Sequence, residues 1–116
     1  MTAVIGTDER TWVDVCALDD LAPDRGVCAL VGRQQVAIFR LGDDQLFALS
    51  NYDPFSKAFV LSRGIVGSKG DRLKVASPIY KQSFDLRTGA CLEDPSVSVP
   101  VFDIQSIDGR VHIAHP

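Results

Sequence analysis

Cysteine, excess charge of one sign and long apolar runs are all scarce in this sequence, and each scarcity closes off a class of protein. The only cysteines, Cys16, Cys28 and Cys91, are odd in number and widely spaced in a chain of 116 residues. That is no disulfide framework, and it fits a reducing compartment. Lys and Arg total 12 against 15 Asp and Glu, a formal net charge of -3, with an isoelectric point near 5.2. Without a basic surplus to neutralise phosphates, nucleic acid is a poor candidate partner and none is expected. No apolar run approaches the ~20 residues that cross a bilayer, so no membrane partner is expected. Met1 to Arg10 has no basic flank followed by an apolar stretch, as a signal peptide would. These features point to a cytoplasmic protein. Helical periodicity is nowhere sustained over about ten residues, and repeats and low-complexity segments are absent.

What is present is strand after strand. Val27–Val31, Gln35–Leu41 and Gln45–Leu49 are short runs of β-formers separated by Gly32 and by Gly42-Asp43-Asp44. In the third run Leu46, Ala48 and Ser50 share one face, with Phe47 and Leu49 on the other. Arg72–Ala76 alternates in the same way, Leu73 and Val75 against Arg72, Lys74 and Ala76. Trp12–Cys16 suits an edge. Gln82–Leu86 and Ala90–Leu92 flank a turn at Arg87-Thr88-Gly89, where glycine can take positive φ. Val97–Ile107, marked as an edge or bulge by Pro100, and Arg110–Ala114 flank Asp108-Gly109, a dipeptide suited to a tight hairpin. A hydrophobic share of 46% and this length suit one all-β domain over residues 1–116, a small antiparallel sandwich or barrel.

Two loops carry more information than the strands. The first is Ser50-Asn51-Tyr52-Asp53-Pro54-Phe55, and the second runs from Ser77 to Gly89. Together they resemble the frame of Rieske iron–sulfur domains, Asn-x-Cys-x-His in the first loop and Cys-Pro-x-His-Gly-x-x-Phe-Asp in the second. Asn51, Pro78, Phe84, Asp85, Thr88, Gly89 and Pro95 stand where that frame places those residue types. The ligand positions do not match. A Rieske [2Fe–2S] centre takes two thiolates on one iron and two imidazoles on the other. Here Asp53 and Ser77 stand at the cysteine positions, and Phe55 and Tyr80 at the histidine positions. Phe55 has no lone pair to offer, and the Ser77 and Tyr80 hydroxyls stay protonated at neutral pH.

The departure itself resembles a family, the small subunits of NAD(P)H-dependent assimilatory nitrite reductase, which are Rieske-like without these ligands. Asn51-x-Asp53-Pro54-Phe55, Leu61-Ser62-Arg63-Gly64-Ile65-Val66-Gly67 and Ala76-Ser77-Pro78-x-Tyr80-Lys81-Gln82 carry that likeness. The resemblance implies a Rieske-like fold whose two loops form a vestigial cluster-binding tip. It implies a non-catalytic small subunit of a cytoplasmic enzyme that reduces nitrite to ammonium in nitrate and nitrite assimilation. This chain would bind no cofactor. FAD, an iron–sulfur cluster and sirohaem would belong to the partner, the nitrite reductase large subunit. Asp53, Pro54, Phe55, Ser77, Pro78, Tyr80, Lys81 and Gln82 are then the candidate partner-binding residues, with Phe55 and Tyr80 expected to pack together in the cluster's place. The alternative is a ligandless Rieske-like binding module serving a different oxidoreductase.

No catalytic or metal-binding set stands out elsewhere. His112 and His115, three apart on a strand, face opposite sides. The cysteines sit in apolar strand context and read as small core residues.

Overall fold

The computed structural model describes residues 11–42 and 44–115, with the backbone alone for His115. The turn expected at Gly42-Asp43 has its centre, Asp43, outside the described residues. Twelve strands are present among the described residues. They are β1 (Thr11–Ala17), β2 (Gly26–Val31), β3 (Gln34–Leu41), β4 (Gln45–Ser50), β5 (Tyr52–Asp53), β6 (Ala58–Phe59), β7 (Ile65–Lys69), β8 (Arg72–Ala76), β9 (Ser83–Asp85), β10 (Val101–Phe102), β11 (Ile104–Ile107) and β12 (Arg110–His115). The strand pairs are antiparallel. Short 3-10 turns occupy Leu18–Asp20 and Leu61–Arg63, and no α-helix occurs among the described residues. Among the described residues no helix is long and apolar enough to cross a membrane.

The layers follow from one strand pair. The central sheet has the order β10-β4-β3-β2, and both of its faces are covered. Val36, Ile38 and Ala48 pack with Val111 and Ile113 of the sheet β1-β12-β11. Ala37, Phe39 and Leu49 pack on the other face with Val75 and Phe84 of the sheet β7-β8-β9. The alternation read in β4 and β8 is observed: Leu46 and Ala48 join one cluster and Phe47 and Leu49 the other, while Leu73 and Val75 face the same core.

Two expectations need correction. Val97–Ile107 is not one strand: β10 lies at the edge of the central sheet, just after Pro100, and β11 belongs to a different sheet. The chain changes layers at Asp103, between them. The cysteines are not uniformly core either. Cys91 is buried and Cys16 half-buried, but Cys28 lies exposed on an edge strand, where alternate residues face out.

Candidate functional site

The two loops meet at the same end of the molecule. β3 and β4 pair from Leu41↔Gln45 up to Val36↔Ser50, and the first loop leaves from that upper end. Asn51, buried at 2% exposure, anchors its start. The Asn51 amide N–H donates to the Gln35 carbonyl at 2.9 Å. Its side-chain Nδ2 donates to Gln35 Oε1 at 3.1 Å, while Oδ1 accepts the Ser62 N–H at 2.7 Å. The chain then forms the small hairpin β5–β6, with Tyr52 opposite Phe59 and Asp53 opposite Ala58. The second loop leaves from the end of β8 and is closed by the Ser77 N–H donating to the Gln82 carbonyl at 2.9 Å.

Asp53 and Ser77 join these loops. Both are buried, at 0% and 1% exposure. The Ser77 hydroxyl donates to Asp53 Oδ2 at 2.5 Å. Ser56 donates to the same oxygen at 2.8 Å, and the Phe55 N–H to Oδ1 at 2.9 Å. Burial works against the charged carboxylate, but the donors from Ser77, Ser56 and Phe55 outweigh it and hold the Asp53 pKa below its ordinary value. Asp53 and Ser77, one from each loop, are therefore hydrogen-bonded to each other. Ser56 was invisible to motif reading, because a serine next to an Asp-Pro turn carries no signal of its own.

Phe55 and Tyr80 do not behave alike. Phe55 is half-buried and leans on Phe84, ring centroids 6.1 Å apart, at the edge of the core. Tyr80 is 60% exposed. The expectation that both fill one volume fails for Tyr80, which follows the exposed Pro78 and Ile79 out to solvent. Pro54 is half-buried, and Pro78 and Lys81 are exposed. Gln82 is half-buried, with Oε1 lacking a hydrogen-bond partner among the described residues. Three further tip residues escaped the sequence reading: Lys57 and Ile79, both exposed, and Phe59, exposed at 54% although its ring meets that of Tyr52 at a tilt, centroids 5.1 Å apart.

The second loop ends in the most recognisable part of the frame. Asp85 Oδ1 accepts the Arg87 and Thr88 N–H groups at 2.7 and 3.2 Å, a side-chain-capped turn. Gly89 closes it at φ 79°. A Cβ there would lie 2.0 Å from the Val99 carbonyl oxygen, so this position requires glycine on two counts. Elsewhere His112 Nε2 lies 3.9 Å from Asp14 Oδ2, and the side chain of His115 lies outside the described residues. Burial raises the pKa of all three thiols, Cys16, Cys28 and Cys91, which keeps them protonated and poor nucleophiles at neutral pH.

Comparison with known proteins places this geometry. A model of the Rieske-like [2Fe-2S] domain matches residues 11–114. The small subunit of nitrite reductase (NADH) from Escherichia coli K12 is 48% identical over 103 residues, covering 88% of this chain and 95% of that one. A crystal structure from Mycobacterium tuberculosis, assigned as an NADH-dependent nitrite reductase small subunit, superposes with a TM-score of 0.90 at 50% identity. It covers 94% of this chain and 98% of its own. The nitrite reductase [NAD(P)H] large subunit of Klebsiella oxytoca contains a similar stretch, 38% identical over 106 residues, which is 91% of this chain but 11% of that protein. The chain belongs to the Rieske-like [2Fe-2S] domain family and, within it, to the small subunits of NADH-dependent nitrite reductase.

Proposed function

We propose that this chain is an accessory subunit that docks on the large subunit of a cytoplasmic nitrite reductase and carries neither cluster nor catalytic site. The holoenzyme would reduce nitrite to ammonium with electrons from NAD(P)H in nitrate and nitrite assimilation. FAD, iron–sulfur and sirohaem chemistry would reside in the large subunit. The Klebsiella relative, in which a domain like this one is continuous with a large subunit, supports the choice of partner.

The observation that carries the cluster-free reading is the bond between Asp53 and Ser77. The residues present do not fit a [2Fe–2S] centre. Oδ2 of Asp53 already accepts two hydroxyl donors, the Ser77 proton is engaged, and Phe55 packs its ring on Phe84. No thiolate or imidazole occupies any of the four positions.

The docking face is the tip. Pro54 and Pro78 stiffen its loops and lower the ordering cost of association, Phe55 and Gln82 line it, and Tyr80 and Lys81 project from it. Asp53 and Ser77, being buried, would serve as its internal support. Co-expression with the large subunit tests the whole reading. Co-purification is expected, with iron and acid-labile sulfide absent from the isolated small subunit even when cluster-assembly machinery is present. Stoichiometric iron and sulfide would overturn the cluster-free part, and failure to form a complex the docking.

A further inference from the structure

Among the described residues, five other than glycine have positive φ: Asp24, Asp44, Lys57, Lys81 and Asp108. Aspartate visits this region at low cost because its short side chain bonds locally. Lysine has no such compensation, and the conformation favours glycine. The two lysines, at φ 60° and 66°, are both at the tip, one in each loop. At position 81 the Rieske frame has glycine, so here the backbone keeps the shape that suits glycine while presenting a charge. Strained residues of this kind concentrate at functional sites.

The tip is also uniform in sign. Residues 51–59 and 77–82 contain one carboxylate, Asp53, and it is buried and engaged within the fold. The acid just beyond, Glu93, turns back to accept the Ser83 N–H at 2.7 Å. Neither Lys57 nor Lys81 has an ion-pair partner among the described residues. A chain of net charge -3 thus shows only positive charge on these two loops, beside the exposed Phe59, Ile79 and Tyr80.

We infer that the tip recognises an apolar patch rimmed by carboxylates on the nitrite reductase large subunit, with Lys57 and Lys81 as its paired steering charges. This rests on the docking proposed above and adds the chemistry of the opposing surface. Apolar and aromatic residues at the centre of the contact would set the dissociation rate, and rim charges the association rate and its salt dependence.

The test measures association of purified small and large subunits by surface plasmon resonance over a range of salt concentration. Association is expected to slow as salt rises. Lys57→Glu with Lys81→Glu should slow it by about tenfold or more at low salt, and Tyr80→Ser should speed dissociation. Arg25→Glu is the control: Arg25 lies next to Asp24, whose N–H donates to the Arg40 carbonyl at the far end of β3, and the change should alter nothing. The sharpest variant is Lys81→Gly. Glycine relieves the backbone, so the variant should melt a few degrees higher than the parent and yet associate more slowly. A complex whose rates ignore salt and both lysines, or a Lys81→Gly variant that binds like the parent, overturns this inference alone. Absence of any complex with the unaltered chain overturns both this and the docking itself.

Discussion

Asp53 brings a charge to a place with no exposed surface, and the donors around it decide its behaviour. Removing the Ser77 hydroxyl leaves a buried carboxylate one donor short, a loss of about 1–3 kcal/mol. Ser77→Ala is therefore expected to lower the urea midpoint measurably at pH 7. The pH dependence has a definite sign. The folded pKa of Asp53 lies below its unfolded value of 3.8, so its contribution is present above that value and fades as the pH falls through the lower folded one. Asp53→Asn should thus lower stability at neutral pH and flatten the acid limb of the stability curve; an unchanged limb would show that the carboxylate is not stabilised there. Phe55 and Tyr80 give a contrasting pair. Phe55→Ala should cost about 2 kcal/mol, less than the ~3–5 of a fully buried phenylalanine, whereas Tyr80→Ala should stay within about 0.5 kcal/mol. The motif frame identified these four positions from sequence but not the direction of each side chain. Loops have no periodicity from which direction can be read, and the bond between Asp53 and Ser77 spans 24 residues of sequence.

Strands were legible where alternate side chains meet different surroundings, two cores for β4 and core against polar surface for β8. β4 and β8 alternate cleanly, and the turns at Arg87-Thr88-Gly89 and Asp108-Gly109 carry glycines at φ 79° and 78°. The hairpin β5–β6 was not legible: two-residue strands bury too little to impose a pattern, and proline and serine between them read as loop. Nor was the change of layer at Asp103, since Val101–Ile107 is apolar enough to pass for one strand. At this scale the decisive glycine is Gly89. Gly89→Ala combines an unfavourable φ with a collision against the Val99 carbonyl, and should destabilise by roughly 3 kcal/mol or more. Gly109→Ala, with the same sign of φ but open space around it, should cost about 1 kcal/mol. Thermal melts of the two variants separate backbone strain from steric exclusion; equal losses would mean that the packing against Val99 contributes nothing.

The molecule as a whole turns on its central sheet. β3 contributes Val36 and Ile38 to one hydrophobic cluster and Ala37, Phe39 and Leu41 to the other, so neither outer layer keeps a core once that strand is lost. Unfolding should accordingly be a single transition. Far-UV signal and the near-UV signal of Trp12, on the β1 side, are expected to change at the same urea concentration, and two separated midpoints would show that the layers are independent. The central sheet delivers the first loop and the sheet β7-β8-β9 the second, and the two meet at one end, so the tip is assembled by the fold as a whole. Its closure by Asp53 and Ser77 has a consequence for supply. A fastening made of a carboxylate and a hydroxyl is complete when the chain has folded, and draws on nothing but translation. On the cluster-free reading proposed above, a domain closed in this way would reach its working shape regardless of how much iron the cell holds, and oxygen would find nothing in the fastening to destroy.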